Sequence, residues 1–405
     1  MQIKMITDYR LSYSQLLADL HTAYRAARRH KRGKPYQMRF EAHAEVNLEQ
    51  LCRMLWTRTY RPQPSCCFVI TEPKRREVFA AQFRDRIIHH LYFNYTHEML
   101  ERTFIADTYS CICQRGTHYG IRRLERHIRR ESKNYTVPCY VLKMDITGYF
   151  MHIDRQRLLD ITMRRLNTMA GHRISKYATE TWRQRVDMDF VAYLTRLIIM
   201  LNPIENCCYR GSLFDWYGLP GDKSLMNSPE GCGMPIGNLT SQLFSNVYLN
   251  EFDQWMKRQM HCHHYGRYVD DFYVVSADRQ WLLGLRRPIA EFLDRELGLA
   301  VNEEKTQICN VMHGVEFLGA FLKPRRRYVS NASLARIRSK VPQIEHIDDA
   351  GQMRSRLNSF LGILSHYKTY RIRRELYFNL PQVYRFGYFL KGMTKFVLYP
   401  GYRGK

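Results

Sequence analysis

The sequence has few acidic residues and no long hydrophobic run. Asp and Glu number 38 against 63 Lys and Arg, so the 405-residue chain carries a formal net charge of +25. The longest aliphatic run, LIIML at 197–201, is far too short to span a bilayer. The N-terminal MQIKMITDYR is not followed by the apolar segment of a secretory signal. We therefore expect a cytoplasmic protein with no membrane association.

Cysteine pairs at metal-binding spacing are also missing. None of the 11 cysteines forms a CxxC pair, and the cluster HCHH at 261–264 lacks the second ligand group that structural zinc requires. Without a secretory signal, we expect free thiols in a reducing compartment. Internal repeats and low-complexity tracts are absent, and hydrophobic residues make up 45% of the chain, which excludes a disordered protein.

The excess positive charge is distributed in clusters along the whole chain. One basic cluster is usually a solvated surface, whereas several in series favour contact with a long polyanion. The chain also has 28 Tyr and 20 Phe, which suit stacking on single-stranded or hybrid nucleic acid. The clusters are RAARRHKRGK (25–34), PKRRE (73–77), RRLERHIRRESK (122–133), KPRRRY (323–328) and YRIRRE (370–375).

Hydrophobic periodicity predicts a chain of mixed helices and strands. Residues 67–82 alternate like a hairpin with EPKR at its turn, and 139–154 open as an apolar strand. The stretch 202–233 is rich in Gly, Pro, Asn and Ser and is too long for an ordinary connector, so we expect an ordered, functional loop. Residues 315–329 are predicted to form a pair of strands, and the chain after them a basic helical bundle.

Two predicted strands carry carboxylates where strands normally avoid them. Asp270 and Asp271 lie in RYVDDFYVV, and since aspartate is depleted in strand interiors, we expect the pair at a tight hairpin turn. Asp145, in KMDITGYF, ends another apolar strand. If the strands are neighbours, three carboxylates repel one another unless divalent cations neutralise them. Two Mg²⁺ ions, which bind carboxylates, water and phosphates, would suit nucleotide polymerisation.

The motifs around these carboxylates resemble, in order, those of reverse transcriptases. The match covers roughly residues 70–325. It implies an α+β right-hand polymerase, with fingers, a palm built on an antiparallel sheet and a helical thumb, that makes DNA on an RNA template. The motifs are PKRREVFAAQFRDRIIHH, YSCICQRGTH, VLKMDITGYF, GMPIGNLTSQLFSNVYLNEFDQW, RYVDDFYVV, LGLAVNEEKTQI and VEFLGAFLKP.

The resemblance also implies a division of the chain into segments. After the thumb-like helices we expect no maturase or endonuclease domain. The expected segments are an N-terminal helical extension (1–66), fingers (67–138), a first part of the palm (139–165), a helical and loop insertion (166–232), a second part of the palm with the primer-grip hairpin (233–329), and a helical thumb with a basic tail (330–405).

For catalysis, the resemblance implies two Mg²⁺ ions, for which Mn²⁺ can substitute. Asp145 and Asp270 would bind both ions, Asp271 would support them, and the Ile146 carbonyl would complete a coordination shell.

For substrates, the resemblance implies further roles. Phe150 would be the steric gate against a ribose 2′-hydroxyl, although a core aromatic is the alternative. Lys305 would contact or protonate the leaving phosphates, unless it forms only an exposed ion pair. The remaining residues are Lys74 and Arg76 for the triphosphate, Ile236 and Gly237 beside the nucleotide, and Tyr268, Phe317, Leu318 and Gly319 for the primer, with a core role as the alternative for Phe317 and Leu318.

The segment GMPIGNLTSQ (233–242) is the discriminating motif. Most relatives carry Gln-Gly where this chain has Ile236-Gly237, and Pro where it has Gln242 after Ser241. This version resembles the reverse transcriptases of diversity-generating retroelements, which copy a template-repeat RNA with errors at adenines. Loss of a Gln hydrogen bond beside the nascent pair would reduce selectivity by about 1–3 kcal/mol. Alternatively, Ile236 only packs the palm, and fidelity is set elsewhere.

That resemblance implies partners as well. They are the template RNA, a cDNA or RNA primer, dNTPs and a small basic accessory variability protein that forms a ring. Two other functions stay open. One is a reverse transcriptase of a retron or a phage-defence system, and the other is a non-catalytic RNA-binding scaffold, which the three retained carboxylates disfavour.

Overall fold

The computed structural model describes residues 8–29, 33–72, 74–378 and 380–402. Parts of several predicted segments lie outside the described residues: 1–7 of the N-terminal extension, 30–32 of the first basic cluster, 73 in the fingers turn, and 379 and 403–405 near the C-terminus.

Helices and strands alternate along the described chain, as the periodicity predicts. The α-helices are α1 (Tyr13–Ala27), α2 (Pro35–Glu41), α3 (Ala44–Trp56), α4 (Phe83–Glu101), α5 (Thr117–Glu131), α6 (Tyr149–His152), α7 (Arg155–Ala170), α8 (Met188–Ile199), α9 (Leu239–Arg258), α10 (Arg279–Leu297), α11 (Asn331–Lys340), α12 (Ala350–Ser365), α13 (Tyr370–Phe378) and α14 (Pro381–Phe386). The β-strands are β1 (Ser65–Ile70), β2 (Arg76–Ala80), β3 (Tyr140–Met144), β4 (Cys207–Tyr209), β5 (Tyr265–Tyr268), β6 (Asp271–Ser276), β7 (Gln307–Asn310), β8 (Val315–Phe317), β9 (Ala320–Lys323), β10 (Arg326–Val329), β11 (Gly387–Phe389) and β12 (Phe396–Leu398).

The chain divides into two compact units. The first takes its residues from Met1–Gly116, Lys143–Tyr273 and Gly284–Thr306, and the second from Thr117–Leu142, Val274–Leu283 and Gln307–Lys405. Among the helices that the structure describes, none has both the length and the hydrophobicity needed to cross a bilayer.

The first unit contains the predicted hairpin and most of the long helices. β1 pairs antiparallel with β2 and parallel with β4. Side-chain caps begin several of its helices, among them α7, where the Asp154 carboxylate accepts from the Arg157 N–H, and α8, where the Asp187 carboxylate accepts from the Phe190 N–H. Because α9 is buried on nearly every side, it forms the centre of this unit.

The strands that carry the carboxylates are neighbours in a sheet. The strand order is β5–β6–β3–β7, so β3, which ends just before Asp145, lies next to β6, which begins at Asp271. This adjacency is the arrangement that the sequence predicts from two carboxylate-bearing strands.

In the second unit, the prediction of a strand pair at 315–329 is wrong, because this segment forms three strands. β8, β9 and β10 make an antiparallel meander. In its turns, Leu318, Gly319 and Arg325 have a positive φ. Leucine and arginine rarely adopt this conformation, so their residue types do not indicate a turn. The C-terminal region, predicted as helical, also contains the antiparallel hairpin β11–β12.

The 202–233 loop is ordered, as predicted, and Glu77 of β2 anchors it. The Glu77 side chain is buried, and its carboxylate accepts hydrogen bonds from the Trp216 indole at 2.8 Å, the Ser224 hydroxyl at 3.0 Å and the Leu225 N–H at 2.7 Å. Three donors directed at one buried carboxylate compensate for its desolvation. The loop is therefore attached to the β1–β2 hairpin.

We predict that Glu77→Ala releases the 202–233 loop. The substitution leaves three buried donors without their acceptor, at a cost of about 2–3 kcal/mol. Limited proteolysis and hydrogen exchange should show faster cleavage and exchange at 212–228, with a lower melting temperature. Glu230→Ala, at an exposed carboxylate of the same loop, is the matched control and should behave like the wild type. Unchanged protection of the loop in Glu77→Ala would contradict the anchoring role.

Candidate active site

Three carboxylates of the first unit lie together where β3 ends and β6 begins. Asp145 follows β3, Asp270 lies in the turn after β5, and Asp271 begins β6. Each offers an oxygen within 4.8 Å of the others. Asp145 is buried, Asp270 is half-buried, and Asp271 keeps a face open to solvent. The cluster is therefore accessible from one side.

A short backbone pairing brings Lys305 to this cluster. Ile146 and Val301 form an antiparallel bridge, in which the Thr147 N–H donates to the Ala300 carbonyl and the Asn302 N–H donates to the Asp145 carbonyl. Just beyond this bridge, the Lys305 ammonium donates to the Asp145 carboxylate at 2.5 Å. The predicted placement of Lys305 near phosphates and its alternative as an ion pair are thus compatible, since the pair lies within the candidate site.

The clustering perturbs the protonation of the carboxylates. Burial, followed by the charge of Asp145, raises the pKa of Asp270. Desolvation, followed by the charges of Asp270 and Asp145, raises the pKa of Asp271 to about 7. Burial lowers the pKa of Lys305, but the hydrogen bond and charge of Asp145 outweigh it, so that the pKa is raised. The site therefore favours bound cations over three free carboxylates.

Two further lysines lie near the carboxylates and were not predicted. Lys223 of the 202–233 loop lowers the pKa of Asp270, and Lys143 of β3 lowers that of Asp271, each against the larger effect of burial. The loop backbone passes close to Gly148, three residues after Asp145, because a Cβ on Gly148 would lie 2.9 Å from the Asp222 carbonyl oxygen. The sequence contains a signal for Lys143, because residues two apart on a strand point to the same face and Lys143 lies two residues before Asp145. Lys223 had no such signal.

The proposed steric gate and the discriminating isoleucine share one hydrophobic cluster. Phe150 and Ile236 are both partly buried against a cluster that includes Phe79 of β2 and Met151 of α6. The Phe150 carbonyl also accepts from the Met234 N–H at 2.8 Å. The structure thus brings these two predicted nucleotide-binding residues together, and the packing is also compatible with the core alternative for each.

Gly237 fixes the backbone of the discriminating motif. Its φ is +125°, and a Cβ there would lie 2.9 Å from Val78 and 3.3 Å from the Phe79 carbonyl oxygen. Next to it, the Ile236 carbonyl accepts from the Phe79 N–H at 3.0 Å. The motif is therefore docked on β2, and only glycine fits at this position.

Other predicted residues lie at different places. Lys74 and Arg76 are exposed, in the turn and at the first residue of β2, so their role toward a triphosphate remains a prediction. Within the motif, Ser241 is buried and Gln242 is exposed. Tyr268 is the last residue of β5, whereas Phe317, Leu318 and Gly319 belong to the second unit, so the primer-binding roles stay predictions.

The carboxylate cluster fits a divalent cation. Mg²⁺ prefers a few carboxylate oxygens together with water and phosphate oxygens, and an accessible cluster with raised pKa values provides such ligands. Within the described ranges, no other group of His, Cys, Asp and Glu has this spacing, so the HCHH segment forms no such site there.

The chain is similar to known proteins over much of its length. Residues 80–322 match the family model described as reverse transcriptase (RNA-dependent DNA polymerase). The chain is 22% identical over 338 residues to Protein YkfC of Escherichia coli (strain K12), covering 75% of this chain and 77% of that protein.

The solved structures that match the chain include telomerases. Apo telomerase from Candida tropicalis matches with a TM-score of 0.47 and 11% identity over 80% of this chain. Telomerase from Candida albicans in complex with a fragment of telomeric RNA matches with a TM-score of 0.44 and 10% identity over 79% of this chain. The matches span 61% and 57% of those two chains.

The α+β right-hand polymerase fold class that the sequence predicts is confirmed by the helices and antiparallel sheets of the structure together with the match to the family model. The matched segment covers more than half of the chain and contains Asp145, Asp270 and Asp271. The chain therefore belongs to the reverse transcriptase (RNA-dependent DNA polymerase) family.

Proposed function

We propose that the chain is an RNA-directed DNA polymerase of a diversity-generating retroelement, which makes adenine-mutagenic cDNA from a template-repeat RNA. The clustering of Asp145, Asp270 and Asp271, within a chain of this family, is the observation that carries the polymerase activity. Two Mg²⁺ ions bound there would activate the primer hydroxyl and stabilise the leaving pyrophosphate.

In this proposal the surrounding side chains have defined tasks. Asp145 and Asp270 would hold the cations, with Asp271 in support. Lys305, which pairs with Asp145, would contact the triphosphate or protonate the leaving pyrophosphate. Phe150 would exclude a ribose 2′-hydroxyl.

The basic surface of the second unit supports RNA as the template. Arg122, Arg126, Arg129 and Arg130 of α5 line a cavity of about 580 Å³ with Arg327, and only Glu125 opposes their charge there. Guanidinium groups bind phosphate oxygens with paired hydrogen bonds. The proposed template-repeat RNA, primer and accessory protein ring rest on the sequence resemblance.

Ile236 supports the diversity-generating assignment. It lies in the same cluster as Phe150, and its side chain has no hydrogen-bonding group to offer the sugar of an incoming nucleotide. A misaligned nucleotide would then lose less binding energy than it would beside Gln.

We predict that replacing both carboxylates of the hairpin abolishes DNA synthesis without unfolding the chain. Asp270→Ala with Asp271→Ala removes the cation ligands, so primer extension on poly-rA/oligo-dT with Mg²⁺ should fall by at least about 10³-fold. Because the substitution also removes mutual repulsion, the melting temperature without metal should not fall. Asp294→Ala, at an exposed position of α10, is the control. Synthesis by the double variant would exclude the proposed site.

We predict that the carboxylate cluster makes metal-free stability decrease with pH. The folded pKa of Asp271 is about 7 against an ordinary value of 3.8. Between these values the folded chain retains a proton that the unfolded chain releases, so stability falls as pH rises through this window. In EDTA, Asp271→Asn should gain about 1–3 °C over the wild type between pH 5 and pH 8, a small effect because solvent screens the group. Parallel pH profiles would contradict this expectation.

We predict that Ile236→Gln lowers misincorporation opposite template adenines by about 5-fold or more, since a restored polar contact is worth about 1–3 kcal/mol. Sequencing of cDNA made on a defined RNA template measures the error spectrum. Ile204→Gln, in the same hydrophobic cluster but outside the motif, separates the motif from packing. An unchanged spectrum would refute this role of Ile236 and support the alternative in which Ile236 only packs the palm and fidelity is set elsewhere.

A further inference from the structure

Arg267 of β5 is a fully buried charged side chain. It is 0% exposed, and so is its partner Asp253 on α9. Removing two charges from water is costly, and a buried ion pair is often no more stabilising than apolar residues of the same volume. Stability alone therefore does not explain why this position, three residues before Asp270, carries an arginine.

The Asp253 carboxylate is fully used as an acceptor. Arg267 donates to it through Nε at 2.8 Å and Nη2 at 2.6 Å. The Tyr265 hydroxyl donates to one oxygen at 2.6 Å, and the Thr108 hydroxyl donates to the other at 2.9 Å. The two bonds from Arg267 hold the guanidinium plane in one orientation, and the two hydroxyls fix the carboxylate that accepts them.

The remaining part of the guanidinium reaches the catalytic turn. Nη1 of Arg267 donates to the Val269 carbonyl at 2.9 Å. Val269 has a φ of +56°, a strained conformation for a β-branched residue. On its other side, the Val269 N–H donates to the Ser110 hydroxyl at 3.2 Å. The residue before Asp270 is thus bound through both of its backbone polar groups.

The segment that supplies Ser110 is itself attached to the arginine backbone. Thr108 and Arg267 form a parallel bridge, with the Arg267 N–H donating to the Asp107 carbonyl and the Tyr109 N–H donating to the Arg267 carbonyl. The support for the turn is therefore continuous from α9 through Arg267 to residues 107–110.

We propose that Arg267 is a positioning residue that keeps Val269 in its left-handed conformation and so presents Asp270 and Asp271 in the geometry that binds divalent cations. The inference rests on the proposed cation-binding role of those two carboxylates. Without the bond to the Val269 carbonyl, the turn relaxes toward an ordinary conformation, and the carboxylates move away from Asp145.

Arg267→Lys tests this role in the full-length chain. Lysine keeps a positive charge opposite Asp253, but a single ammonium does not replace a fork that bonds the carboxylate and the Val269 carbonyl together. We expect Mn²⁺ affinity, measured by electron paramagnetic resonance on the protein alone, to fall about 5-fold or more, and kcat on poly-rA/oligo-dT to fall about 30-fold, as small displacements at an active site do. KM for the template-primer should change less than about 2-fold.

A second substitution distinguishes positioning from folding. Glycine adopts a positive φ without strain, so Val269→Gly added to Arg267→Lys should restore Mn²⁺ affinity by about 3-fold or more relative to Arg267→Lys. A merely structural defect would not respond in this way. Arg165→Lys is the matched control, because Arg165 pairs with Glu251 of the same helix α9 at 2.7 Å, and it should leave Mn²⁺ binding unchanged.

Each outcome decides the proposal. Wild-type Mn²⁺ affinity in Arg267→Lys, or a loss that Val269→Gly does not relieve, overturns it. If Arg267→Lys fails to fold, Ser110→Ala decides instead: weaker Mn²⁺ binding at an unchanged melting temperature supports the held turn, and wild-type binding overturns it. DNA synthesis by Asp270→Ala with Asp271→Ala would refute the proposed function itself, which keeps the two failures distinguishable.

Discussion

Mutual repulsion among three carboxylates is the constraint on which the first unit depends. Asp145, Asp270 and Asp271 have oxygens within 4.8 Å of one another, so the fold must hold like charges together before any cation is bound. It does so partly with compensating charge, because Lys305 pairs directly with Asp145 and two more lysines lie close enough to lower carboxylate pKa values. Packing of the surrounding side chains must offset the repulsion that these lysines leave uncompensated.

The backbone around the cluster is correspondingly restrained at several independent points. The bridge between Ile146 and Val301 attaches one carboxylate-bearing strand to the segment before Lys305. The Glu77 carboxylate attaches the 202–233 loop to the β1–β2 hairpin. Each restraint uses buried hydrogen bonds, which are strong only where water is excluded. The mutually repelling carboxylates are therefore surrounded by elements that these hydrogen bonds hold together.

The sequence was informative where residue type conflicts with environment. Aspartates in apolar strands indicated both the turn that contains Asp270 and the adjacency of β3 and β6, because few other arrangements tolerate them. The same strand periodicity places Lys143 on the face of Asp145, although this lysine was not predicted as part of the site. Each of these inferences needs only local spacing along one strand.

The sequence was uninformative where the partner is distant or the conformation unusual. Glu77 lies in a basic cluster and resembles a solvated residue, yet it is buried by a loop about 140 positions away. The third strand at 326–329 was missed because Leu318 and Arg325 turn the chain at positive φ without being glycine. Lys223 approaches the carboxylates through a loop whose path no periodicity encodes. Such features depend on tertiary packing, which overrides local preference.

Because Gly237 packs against β2, the adjacent positions 236 and 237 tolerate different side chains. A side chain at 237 would collide with Val78 and the Phe79 carbonyl, whereas the partly buried side chain at 236 projects into an adaptable hydrophobic cluster. Substitution at 236 therefore alters the chemistry presented beside Phe150 while the main chain stays in place. If Ile236 has the proposed role, a change in one codon would alter the accuracy of copying without rebuilding the polymerase.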